Sequence, residues 1–255
     1  MHTDLTLNLS TLCGFLLVLA RVSGLIALVP IPGLAAGPDT SRVVLALALT
    51  VGLLPVWPHP PGADLLSGRL LGGMAAESAF GLTIGVAVAF LLEGIQLAAQ
   101  IIGLQAGYSF ASTIDPTTQA DSTTLQIMAQ LFAGSLFFAL GFDRQVLAVL
   151  AHSLEKIPSG AFALTGPLVD AVGRLGAGVF LTGLELALPV LALTLLLEIA
   201  FAVLGRLHAQ LQLLTLAFAA KMLVALAFLA SILAFFPAVF EKFGAATIAA
   251  LLKFL

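Results

Sequence analysis

In this chain of 255 residues, 60% are apolar and only 9% charged, far from the roughly 25% charged residues of a soluble domain. Such a surface cannot be solvated, which excludes an ordinary water-soluble fold. A formal net charge of -3 with no cluster of Lys or Arg speaks against a nucleic-acid partner.

Taken in chain order, the first apolar segment runs from about Leu7 to Val29, carries Arg21, and stops at Pro30, Ile31, Pro32 and Gly33. Two prolines there remove helical donors. Met1 to Ser10 holds no Lys or Arg, so it lacks the basic start of a cleaved signal and the first helix is expected to stay. Within it, Cys13 is the chain's one cysteine and reads as a small buried hydrophobe. A second segment follows Pro38 to Ser41, but its apolar part, Val43 to Trp57, is short for an unaided span and contains Pro55.

The third segment, Leu65 to Gln105, is too long for one ordinary helix, and Glu77, Glu93, Gln96 and Gln100 punctuate it. Spacings of three and four put Glu93, Gln96 and Gln100 on one helical face, which should meet protein or water. A polar loop, Tyr108 to Thr124, comes next. Leu125 to Leu154 is apolar but broken near Gly141 to Arg144, and a connector from Lys156 reaches about Arg174. The fifth segment, Leu175 to Leu204, carries Glu185, Glu198 and a kinking Pro189. A polar link, Arg206 to Gln212, leads to the sixth, Leu213 to Val239, with Lys221 inside it; Glu241 to Leu255 reads as a short terminal helix.

These runs are continuous and rich in Leu and Ala, whereas strands of a membrane barrel alternate apolar and polar residues. The fold class is therefore all-α: a multi-pass membrane protein of about six apolar, partly kinked or broken helices, forming a single domain over residues 1–255. With both termini cytoplasmic, Arg69, Arg144, Lys156, Arg174, Lys242 and Lys253 fall inside and Arg42 and Arg206 outside, the orientation that the positive-inside rule favours.

Charged groups inside such segments cost roughly 2.5 to 3.5 kcal/mol each on insertion scales, so they are functional candidates. Here they are Arg21, Glu77, Glu93, Glu185, Glu198 and Lys221. The plain reading is that they pair with one another, or with partner subunits, and hold helices in register. A rival makes the glutamates the proton or cation site of a secondary transporter. Gly-x-x-x-Gly spacings at Gly81/Gly85 and Gly103/Gly107 mark the third segment as a packing surface. The sequence contains no H-E-x-x-H, G-x-S-x-G or Walker A pattern, so an enzyme is not expected, nor a cofactor or metal.

Several positions together resemble the FliR family of bacterial export-gate proteins, which includes the corresponding subunit of virulence type III secretion systems. They are Ala20 to Leu25 followed by Pro30, Pro38 and Arg42; Gln100, Gly103 and Gly107 leading into Ser109 to Ser112 and Asp115-Pro116; Ser153 with Ile157-Pro158; and Leu188-Pro189, Arg206, Gln210-Leu211, Phe218 and Lys221. The sequence departs from the family pattern at Ala209, Gln212 and Ala219.

The resemblance implies a structural subunit of the flagellar export gate in the bacterial inner membrane, within the basal body. Its implied partners are FliP-like and FliQ-like membrane subunits, an FlhB-like export switch protein, membrane lipid, and unfolded proteins in transit. It also implies a pore plug at Gly107, Tyr108, Ser109, Phe110, Ala111, Ser112, Asp115 and Pro116. The residue types suit that role: glycine permits unusual backbone angles, an aromatic can seal a narrow pore, and a polar loop can move. Read without the resemblance, the same stretch is equally an exposed connector.

Overall fold

The computed structural model describes residues 9–29, 39–58, 69–108, 124–207 and 213–253, and among them every regular element is helical. In chain order these are α1 (Leu9–Leu28), α2 (Asp39–Gly52), a 3-10 turn (Leu54–Val56), α3 (Arg69–Ala106), α4 (Thr124–Ala139), α5 (Phe142–Lys156), α6 (Gly166–Leu207), α7 (Leu213–Ile232), a second 3-10 turn (Leu233–Phe235) and α8 (Phe236–Leu252). Four stretches are long and apolar enough to cross a bilayer: Ser10–Leu28, Leu70–Ala106, Gly166–Leu207 and Ala217–Leu252. A fifth is possible if the broken pair α4 and α5 forms one span.

Three boundaries differ from those expected. The third segment is one uninterrupted helix of 38 residues. No proline lies between Arg69 and Ala106, and its polar residues sit on helix faces instead of interrupting the ladder. Helix α6 starts at Gly166, earlier than a connector ending near Arg174 would allow, and it runs through Pro189 for 42 residues. Pro167, in the first turn, needs no intrahelical N–H there, so it opens the helix without cost. The last apolar run breaks at Leu233–Phe235, ahead of Val239. Pro237, just inside α8, is tolerated for the same reason as Pro167.

The residues group into two compact units, whose boundaries fall within α3, α6 and α8 and between α4 and α5. The first contains α1, α2, α5 and the start of α3. There α1 packs on α2, and the Trp57 indole N–H donates to the Thr50 carbonyl (2.9 Å) while its ring lies 5.4 Å from that of Phe15. Where α1 crosses α3, three glycines let the backbones touch. A Cβ on Gly81 would collide with the Arg21 carbonyl, one on Gly85 would come within 2.8 Å of the Leu25 carbonyl, and one on Gly24 within 2.5 Å of the Ser78 carbonyl. Lipid tails are as apolar as leucine, so burial alone does not hold membrane helices together; close packing and polar pairs do.

The second unit contains the rest of α3 with α4, most of α6, α7 and the start of α8. Its core is apolar, with Ile95, Ile102, Leu186, Val190 and Ala225 all buried. The Phe243 ring fills the notch left by Gly178, where a Cβ would meet it at 2.6 Å. Leu97 of α3 does the same at Gly183 of α6.

Candidate functional site

In the first unit, Arg21 of α1 and Glu77 of α3 are each 1% exposed and form an ion pair, the Arg21 Nε–H donating to Glu77 Oε2. Both side chains of the pair make further hydrogen bonds. Arg21 Nη1 donates to Ser153 Oγ of α5 at 2.9 Å, and Ser153 Oγ donates onward to the Leu150 carbonyl at 2.6 Å. The other carboxylate oxygen, Glu77 Oε1, accepts the Gly160 N–H at 2.9 Å. The guanidinium also lies 4.7 Å from the centre of the Phe80 ring, which packs edge-on against Phe162 at 5.0 Å. A buried charge is tolerated only when paired and hydrogen-bonded, and this one is both.

The arrangement follows from local sequence. Glu77 and Phe80 are three apart on α3 and therefore share a face. Gly160 has φ +77°, a left-handed conformation open to glycine, and follows Pro158-Ser159 in the turn that aims its N–H at the carboxylate. One ion pair thus fastens α1, α3, α5 and the connector after α5.

In the second unit, Lys221 Nζ of α7 donates to Glu198 Oε1 of α6, and here the carboxylate is 45% exposed. One residue further along α7, the Met222 carbonyl accepts a 2.6 Å hydrogen bond from the Tyr108 hydroxyl. Partial burial pushes the Tyr108 phenol up, so it keeps the proton it donates. Helix α3 ends just before this contact. Gly107 takes φ +91°, its N–H reaching the Leu104 carbonyl (3.2 Å), and the Tyr108 N–H reaches the Gly103 carbonyl (2.9 Å). These two bonds form the glycine-centred helix stop of the Schellman type.

Glu93 and Glu185 are exposed on α3 and α6 and make no ion pair among the described residues. Gln100 is exposed as well, and Gln96 is half-buried, so the polar face of α3 points away from the chain's own core. Of the plug candidates only Gly107 and Tyr108 lie within the described residues; Ser109, Phe110, Ala111, Ser112, Asp115 and Pro116 lie outside them.

Sequence reading did not single out Phe80, Gly160 or Met222. Phe80 is signalled by its position one turn after Glu77. A backbone carbonyl such as that of Met222 leaves no mark in side-chain identity, so nothing in the sequence pointed to it. Among the described residues no three His, Cys, Asp or Glu side chains gather as a metal site would require.

Known proteins resemble the chain over most of its length. The flagellar biosynthetic protein FliR of Escherichia coli is 28% identical over 215 residues, covering 84% of this chain and 82% of its own. That of Caulobacter vibrioides is 27% identical over 84% and 86%, and that of Bacillus subtilis 25% over 78% and 78%. The family profile described as bacterial export proteins, family 1, matches residues 12–246, from the first helix to within α8, and the chain belongs to that family.

Proposed function

We propose that this chain is a non-enzymatic structural subunit of the flagellar type III protein export gate. In this reading it assembles in the bacterial inner membrane with FliP-like and FliQ-like subunits, beside an FlhB-like switch protein, around a channel for unfolded flagellar proteins. The observation that carries the proposal is the family match across residues 12–246, joined by relatives named as flagellar biosynthetic proteins over most of both chains.

The outward surface supports it. At 42 residues, α6 is about 63 Å long, roughly twice the hydrocarbon thickness of a bilayer. Its exposed side carries Phe180, Leu181, Leu188, Leu196, Val203 and Leu207, an apolar face of about 40 Å. Lipid alone cannot cover so long an apolar face, and Glu185 within it calls for a donor from elsewhere. Partner helices supply both. The segment beginning at Gly107 and Tyr108, through Phe110, Asp115 and Pro116, serves as the pore plug, with Phe110 as the seal.

Native mass after detergent extraction tests the assembly, with the chain expressed alone and then together with FliP-like and FliQ-like proteins from the same bacterium. A large hetero-oligomer under co-expression alone is expected. A monomer or homo-oligomer in both preparations overturns the reading and brings forward the transporter alternative.

A further inference from the structure

We propose that Tyr108 is a positioning residue whose phenol, with Gly107, clamps the end of α3 to α7 and so fixes the root of the segment that follows. Its functional consequence rests on the plug reading above; the clamp itself rests on geometry alone.

Three independent contacts converge on two consecutive residues. The first is the helix stop, in which the Gly107 and Tyr108 amides both turn back onto α3 and end it there. The second is steric. The open side of Gly107 faces the Phe218 ring of α7 so closely that a Cβ would approach within 2.6 Å of it, at a φ of +91° that side chains already disfavour. The third is the Tyr108 hydroxyl on the Met222 carbonyl, 2.6 Å away. A carbonyl within a helix keeps a second lone pair after accepting its own backbone bond, so α7 supplies this acceptor without losing a rung.

Phe218 and Met222 are four apart and hence on one face of α7, which makes that face the seat for the α3 terminus. Adjacent to Met222, Lys221 ties α7 to Glu198 of α6. The seat is therefore itself braced against a third helix. Moving the end of α3 away from α7 requires releasing the phenol and lifting Phe218 off Gly107. A tyrosine that merely filled space would work as well without its hydroxyl.

Tyr108→Phe removes the hydroxyl and leaves the ring. The test uses the assembled complex with its membrane partners, read by hydrogen exchange of the peptides covering 103–108 and 218–226, by native mass, and by ion leak in cells. Exchange at 103–108 is expected to rise at least about fivefold with native mass unchanged, and leak to rise with it. Faster exchange with unchanged leak leaves the clamp standing and removes the plug reading. Unchanged exchange overturns the clamp, whatever the leak. Should Tyr108→Phe fail to accumulate, Phe218→Leu, at a position 41% exposed, gives the same readout: faster exchange at 103–108 supports the clamp and unchanged exchange overturns it.

Discussion

The Arg21–Glu77 and Lys221–Glu198 pairs both join apolar helices and are built on different terms. Arg21 and Glu77 are sealed from every side, and each remaining polar contact of the pair goes to this chain: Ser153, Gly160 and the Phe80 face. Glu198 keeps close to half of its surface open while holding Lys221. A pair with each side chain 1% exposed is out of reach of a ligand or a partner, so its work is done once the chain is folded. An open one can still accept a donor from a neighbouring subunit. Position in the membrane segment, which is all a sequence reveals, does not separate the two cases; the number of hydrogen-bond partners does.

The largest expected effect tests the sealed pair. Arg21→Met or Glu77→Leu alone leaves a buried charge without its partner and should destabilise the chain by about 3–5 kcal/mol, read as thermal unfolding in detergent. The double substitution removes both charges and should recover most of that loss. If the double variant is as unstable as either single one, the pair contributes packing and not charge compensation.

Next in size is the helix crossing that brings the pair together. Gly81→Leu forces a side chain into the Arg21 carbonyl and should cost about 1–3 kcal/mol, whereas Gly173→Ala, with open space around it, should be neutral or stabilising by about 0.5–1 kcal/mol. Equal effects at the two positions would mean that the α1–α3 approach is looser than the backbone contacts indicate.

Lys221→Met sharpens the comparison from the other side. With a partner carboxylate that is 45% exposed, its loss should change the stability of the isolated chain by about 1 kcal/mol or less. A loss as large as that of Arg21→Met would erase the distinction between the pairs. The smallest effect on the isolated chain is expected for Glu185→Gln, which breaks no hydrogen bond or ion pair among the described residues; its consequence should emerge only as reduced yield of the co-expressed complex. An unstable isolated Glu185→Gln chain would show that the residue serves the fold and not the partner.

Much of this architecture was legible beforehand because the signals are additive along the chain. Apolar runs without charge dictate helices wherever the backbone cannot reach water, so the all-α class and most segments follow from composition and length. Prolines and glycines placed several ends correctly, such as the breaks after Val29 and near Gly141. The unity of α3 was missed because Glu77 and Glu93 read as interruptions, although a polar side chain with a partner or an outward face costs the helix nothing.

What the sequence determined by itself is the medium, the helical class and the set of charged residues that must find partners in it. The tertiary structure alone decided which of them do. Arg21 is 56 residues from Glu77 and 132 from Ser153, and Tyr108 is 114 from Met222, separations over which no periodicity or spacing rule operates. Those pairings depend on which helix faces meet, and that is set by glycine contacts and ring notches summed over the whole packing. Hence Glu77 and Glu198, alike in the sequence, became a sealed brace and an open one.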